Sequence, residues 1–283
     1  MSAGLPSATL ADLYRAACLA ELDALKPGNV HAYAPGHRMV TEDFVTSAEV
    51  SAPRLAAPGA RVGARVRGGV EATFAAVGQN TNLGILLLCA PLARAAEAEG
   101  PLTANLSSVL ADFDASDAAG VFAAIRTANP GGLGKAARHD VTDAGATPSL
   151  AEAMAEAAPR DRIARAYTDG FRDCFAIGLP ALAEAREKGL VAPWTTTAVH
   201  LAYLTTVPDS HIARKHGPER AEAMRAEAAV RLAGIDLAQQ PIAALLDYDR
   251  ALKDAGLNPG TSADFTVATL FLDALLRARG EAR

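Results

Sequence analysis

Aromatic residues make up only 5% of this chain of 283 residues, and there is a single Trp. Strands draw on aromatic and β-branched side chains, so this scarcity, beside abundant Ala, favours close-packed helices over sheets. No stretch alternates apolar and polar residues long enough to compete as a strand. Cysteine is equally thin. Cys18, Cys89 and Cys174 lie in apolar stretches without CxxC spacing, which excludes a zinc or disulfide framework and leaves buried structural thiols. There is no excess of positive charge: the net charge is −5, against a general binder of nucleic acid or anionic membrane. The apolar run after Asn82 is broken by Pro91 and Arg94, too short to span a bilayer. The first residues show no basic segment followed by an apolar one, so no secretory signal is expected and the chain is expected to be cytoplasmic. No internal repeat of fixed period supports a solenoid.

Half the residues are hydrophobic, enough for a sizeable core, and nearly every segment follows the helical period. Thr9 is placed to cap a first helix that Pro27 and Gly28 stop, and further helices are expected at 41–53 and 61–77 and after Asn82. Later ones are expected at 103–113, 116–128, 149–157, 161–177, 180–188, 194–206, 218–233, 238–255 and 262–279. The expectation is an all-α protein of about a dozen helices, a single domain over 1–283 with a Gly/Pro-rich loop near 129–149.

Four polar clusters stand where a loop meets a helix: Lys26–His31, Asn80–Asn82, Pro208–Gly217 and Asn258–Phe265. Helix N-termini carry free N–H groups and positive dipole ends, so four such junctions suggest a composite site for a phosphorylated ligand. Lys26 is a candidate phosphate partner, with Asn29 and His31 offering directional contacts; the plainer reading is a Pro-Gly helix stop whose Lys complements the dipole. Asn80, Thr81 and Asn82 exceed what one helix cap needs. In Asp209, His211, Arg214, Lys215 and His216, the Arg is a planar fork and the Lys a point charge for phosphate. Asp209 is at once a cap, a metal ligand and a general-base candidate. In Asn258–Asp264, Thr261 and Asp264 suit a capping box, while Asn258 and Ser262 are spare. Glu71 is either a surface partner of Arg67, four residues earlier, or a metal ligand or general base.

Other patterns carry less. GGLGK at 131–135 has Asn129 where a phosphate loop needs its leading Gly. Asp112, Asp114 and Asp117 resemble a metal–diphosphate motif at the wrong spacing. His139-Asp140 resembles the metal-binding pair of helical phosphohydrolases.

Taken in order, Lys26-Pro27-Gly28, Glu71, Asn80-Thr81-Asn82-Leu83-Gly84, Asp209 through Gly217 and NPGTSADFTVATLFL at 258–272 resemble the ATP:dephospho-CoA triphosphoribosyl transferase family. The resemblance spans nearly the whole chain. It implies an all-helical enzyme that moves a triphosphoribosyl group from ATP to the 2′-hydroxyl of dephospho-CoA and releases adenine, with Mg²⁺ expected alongside ATP. Two departures stand out: Asn82 and Leu83 replace the His and Lys of the citrate-lyase branch, and Arg138-His139-Asp140 is the nearest match to its Arg-Gly-Glu element. In this the chain looks more like the branch of archaea and one-carbon-metabolising bacteria. For that reaction Glu71 and Asp209 are the candidate catalytic residues, with either as metal ligand. The candidate substrate and phosphate contacts are Lys26, Asn29, His31, Asn80, Thr81, Asn82, His211, Arg214, Lys215, His216, Asn258, Ser262 and Asp264. Glu71→Gln is then expected to lower turnover more than binding. The competing expectations are a metal-dependent phosphohydrolase centred on His139, Asp140 and Asp209, and a non-catalytic nucleotide- or CoA-binding protein. Long apolar helices such as the last are compatible with a homodimer; no nucleic-acid or membrane partner is expected.

Overall fold

The computed structural model describes residues 2–34, 40–129 and 148–281. His139, Asp140 and the Gly-rich segment at 131–135 lie outside the described residues. Within them the chain is helical and carries no strand, as its periodicity predicts. The α-helices are α1 (Ser7–Asp23), α2 (Thr41–Leu55), α3 (Val62–Val77), α4 (Leu83–Ala96), α5 (Leu102–Ala111), α6 (Ala115–Ala128) and α7 (Leu150–Ala157). They continue with α8 (Arg162–Asp169), α9 (Leu179–Glu187), α10 (Trp194–Thr206), α11 (Ser210–His216), α12 (Pro218–Leu232), α13 (Ile242–Asp254) and α14 (Gly260–Ala278). No described helix is long and apolar enough to cross a membrane.

Two expected helices are shorter than their period suggests. The 161–177 segment stops at Asp169 because Gly170 turns left-handed, φ 71°, and a π-helical turn, Cys174–Gly178, resumes the path. The 238–255 segment begins only at Ile242, since Pro241 has no N–H to give a preceding turn.

The chain's contacts divide it into two compact units. Unit 1 is Met1–Ala16, Val45–Phe171 and Phe271–Arg283; unit 2 is Ala17–Phe44 and Arg172–Leu270. At the centre of unit 1, α4 is buried over almost its whole circumference, as expected of a helix without a polar face. Beside it α3 crosses α6 at glycines: a Cβ on Gly63 would lie 2.5 Å from Asp117, and one on Gly120 equally close to Gly63 backbone. The buried Arg65 guanidinium is held by the Leu55 carbonyl at 2.5 Å, the Ala60 carbonyl at 2.8 Å and Glu97 at 2.7 Å. The Asp112–Asp117 segment that resembled a diphosphate motif is bound by Arg61, with Asp114 and Asp117 closing the capping box of α6. It is a helix junction.

Unit 2 packs α10, α11, α12 and α13 around Leu25, Trp194, Leu204, Ile212, Met224, Leu245 and Leu252.

Candidate functional site

One of the four polar junctions, Asn80–Asn82, belongs to unit 1. Its three side chains are all spoken for. Asn80 Oδ1 accepts the Leu83 N–H, the first of α4, at 3.1 Å. Thr81 pairs its hydroxyl with Ser47 at 2.6 Å, and Asn82 Nδ2 donates to Thr73 at 2.9 Å and Ser51 at 3.3 Å. Ser51 in turn meets the Tyr14 hydroxyl at 3.1 Å. The surplus of polar groups, taken in the sequence as ligand contacts, is absorbed by cross-links from α4 to α2 and α3. Buried polar groups must find partners, and here other helices supply them. Glu71 is not part of this network. It lies on the exposed side of α3 and pairs with Arg67 at 2.7 Å, the surface alternative of the sequence reading.

The other three junctions all fall in unit 2, and the fold joins them. Asn29 Nδ2 donates to Asn258 Oδ1 at 2.8 Å, bridging residues 229 apart in sequence. Gly28, at φ 84°, gives its N–H to Asp249 Oδ1 at 2.8 Å. A Cβ there would meet Pro259 at 2.8 Å and Leu252 at 2.9 Å, so both backbone angle and close approach demand Gly. The Lys26-Pro27-Gly28 stop thus carries α1 into a loop fastened to α13 and to the start of α14.

Lys26 is fully buried and its ammonium donates to the buried Glu21 carboxylate. Burial pushes the lysine down and the glutamate up, and their mutual attraction opposes both shifts. Lys253 and Asp264 are the next charges about Lys26. His31 is also buried: its Nδ1 accepts the Tyr33 N–H at 3.2 Å, so Nε2 carries the proton and faces Asp249 Oδ1 at 3.4 Å. Burial lowers the imidazole below its ordinary value despite that carboxylate. For Asp249 burial acts to raise the carboxyl, but His31, Lys253 at 2.9 Å and the Gly28 N–H outweigh it and hold the group low.

Asp209 caps two helices at once. Its Oδ1 accepts the His211 and Ile212 N–H groups at 2.8 and 3.1 Å; its Oδ2 accepts the Ser262 N–H and hydroxyl at 2.8 and 2.9 Å. Burial raises its carboxyl against those four donors. With both oxygens engaged, a metal or a substrate proton would have to displace a cap. In this structure Asp209 holds the starts of α11 and α14 together. It also takes over the capping expected of Thr261 and Asp264: Thr261 instead accepts the His211 N–H at 3.1 Å. The His211 ring lies so close to α14 that a Cβ on Gly260 would sit 2.7 Å from Nδ1. Arg214 and Lys215 stand in the last turn of α11, half-buried and exposed respectively, and His216 meets the Gly256 carbonyl at 3.2 Å.

The sequence reading missed Glu21, Asp249, Lys253 and His200. Asp249 and Lys253 share a helix face four apart, a signal indistinguishable in sequence from an ordinary surface pair. His200 sits among the Thr and apolar residues of α10 and is fully buried, its ring against the Pro27 carbonyl without a well-formed hydrogen bond. Burial first, then Lys26, pushes it down to about 3, so it is a neutral imidazole. Among the described residues no group of three His, Cys, Asp or Glu is arranged to hold a metal ion.

The fold is an all-helical one that gathers buried ionisable groups where three loops meet helices. The chain belongs to the ATP:dephospho-CoA triphosphoribosyl transferase family, whose profile matches residues 7–283. It is accordingly a transferase of the triphosphoribosyl-dephospho-CoA synthase type, and neither the phosphohydrolase nor the non-catalytic reading has support. A solved structure from Archaeoglobus fulgidus, described as a candidate triphosphoribosyl-dephospho-CoA synthase, has the same fold. Its TM-score is 0.64 at 24% identity, covering 81% of this chain and 97% of that one. No curated protein matches the chain.

Proposed function

We propose that this chain binds ATP and dephospho-CoA in the cytoplasm and joins the triphosphoribosyl group of ATP to the acceptor's 2′-hydroxyl, with the triphosphate held by the polar junctions of unit 2. The observation that carries this is the convergence of three distant segments: Asn29 on Asn258, Asp209 on Ser262, and Asp264 beside Lys26. Lys26, Arg214 and Lys215 are the cations of these segments, and Asn29, His31, Asn258 and His211 the directional donors and acceptors. Mg²⁺ belongs to this reading as the counter-ion that ATP brings, since hard cations take phosphate oxygens and the described residues offer no dedicated cage.

The hydroxyl oxygen attacks C1′ of the ATP ribose as the bond to adenine N9 breaks and its electron pair leaves with the base. Positive charge builds on the ribose, which nearby carboxylates stabilise. The test is chromatography after incubation with ATP, Mg²⁺ and dephospho-CoA. Free adenine that appears only when dephospho-CoA is present is the expected result. Phosphate release without adenine would sink the reading.

A further inference from the structure

Three carboxylates are buried among the described residues of unit 2: Glu21, Asp209 and Asp249. Asp209 is filled by four donors and Asp249 by Gly28, Lys253 and His31. Glu21 receives only the Lys26 ammonium, and that partner is the cation the proposed reading gives to the triphosphate.

Resting on that reading, we propose that Glu21 is the proton acceptor of the transfer and that Lys26 masks it until substrate binds. A buried ion pair held by one hydrogen bond is weakly repaid for its desolvation. A triphosphate offers Lys26 several negative oxygens, and its flexible four-carbon stem lets the ammonium follow them. The flank of the pair is also incomplete. The buried His200 ring, which feels the Lys26 charge, lies against the Pro27 carbonyl without a well-formed hydrogen bond. Buried groups left so are exceptions that call for an explanation.

With Lys26 drawn away, Glu21 is a desolvated carboxylate, and burial favours its taking a proton. The hydroxyl proton passes to Glu21 as the oxygen–C1′ bond forms. The departing adenine takes a proton from water, and Glu21 returns its own to solvent, so atoms and charge balance. The charged and titratable groups facing the pair are Lys253 and Asp264 about Lys26, with His31, His200 and Asp249 beyond.

Glu21→Gln keeps the volume and removes the proton acceptor. In the adenine-release assay we expect kcat to fall at least about 100-fold with KM for ATP little changed, the range for loss of a general base. The acid limb of the wild-type kcat profile should vanish in the variant. A merely structural Glu21 would lower the melting temperature and leave both kcat and the acid limb intact; a folded Glu21→Gln with those properties overturns the proposal. Should Glu21→Gln not fold, Glu21→Asp, which keeps the charge but withdraws the carboxylate, is expected to lose at least about tenfold in kcat. Wild-type kcat in that variant would equally overturn it. No adenine from the wild-type enzyme would refute the transfer reading and this one together, an outcome separate from an active wild type with an unimpaired variant.

Discussion

At the scale of single residues, burial outweighs pairwise attraction for Glu21, Lys26, His31, His200 and Asp209, while at Asp249 the partners outweigh burial. His200 shows this most simply, because no carboxylate bonds its ring. In the unfolded chain it titrates near the ordinary imidazole value; folded, it is held neutral down to about 3. Between those values the unfolded state binds the extra proton, so His200's contribution to stability is present above the unfolded value and lost as pH falls toward the folded one. Glu21 and Asp209 are shifted upward and work in the opposite sense, so the whole-protein profile mixes both. The difference between wild type and His200→Phe isolates the imidazole. In urea titrations from pH 7 down to pH 4, wild type should lose stability relative to the variant, at a slope of up to about 1.4 kcal/mol per pH unit. Parallel profiles would show that the ring is hydrated and not desolvated.

At the scale of elements, Asp209 does for two helices what a cap usually does for one. The helix α11 is only seven residues long, and isolated helices of that length do not persist in water. Its N–H groups at His211 and Ile212, and that of Ser262 in the first turn of α14, converge on one carboxylate. Asp209→Ala should therefore cost about 2–4 kcal/mol, roughly twice a single cap, measured by denaturant unfolding. Asp209→Asn, which keeps one acceptor oxygen, should recover about half; equal losses would mean the charge and not the capping geometry matters. The sequence showed that Asp209, Thr261 and Ser262 stand at helix starts, because cap residues carry a local signature. It did not show that Asp209 reaches across 53 residues to Ser262, since pairing at that separation leaves no trace in spacing. Asn80–Asn82 erred the other way. Three polar residues beside an apolar helix read as spare, but Ser47, Ser51 and Thr73, scattered over α2 and α3, were waiting for them. The helices themselves were legible, since the 3.6-residue period is local; Gly170 and Pro241 show that the misread ends lay at breakers within a continuing period.

At the scale of the whole molecule, neither unit is a continuous piece of chain, and that has a testable consequence. Unit 1 draws on Met1–Ala16 and Phe271–Arg283 as well as its long central segment. Those ends bring Leu10, Tyr14, Phe271, Leu272 and Leu275, all fully buried, with Tyr14 and Phe271 edge-to-face at 6.0 Å. Arg279 then locks the last turn of α14. Its guanidinium donates to the Ala96 carbonyl at 2.7 Å and the Ala3 and Ala98 carbonyls at 3.0 Å, and also reaches the Gly100 carbonyl. A segment of residues 45–171 would contain the unit's middle helices but leave their apolar faces without those five side chains. Each fully buried large side chain contributes about 1.5–3 kcal/mol, so their sum matches or exceeds the whole stability of a typical domain. The isolated segment should therefore show no cooperative thermal transition by circular dichroism. The full-length Arg279→Ala variant, which removes the guanidinium from four carbonyls while leaving the apolar residues in place, should still melt cooperatively but at a lower temperature. A cooperative transition in the 45–171 segment would mean that the ends of the chain cover a core already able to stand alone.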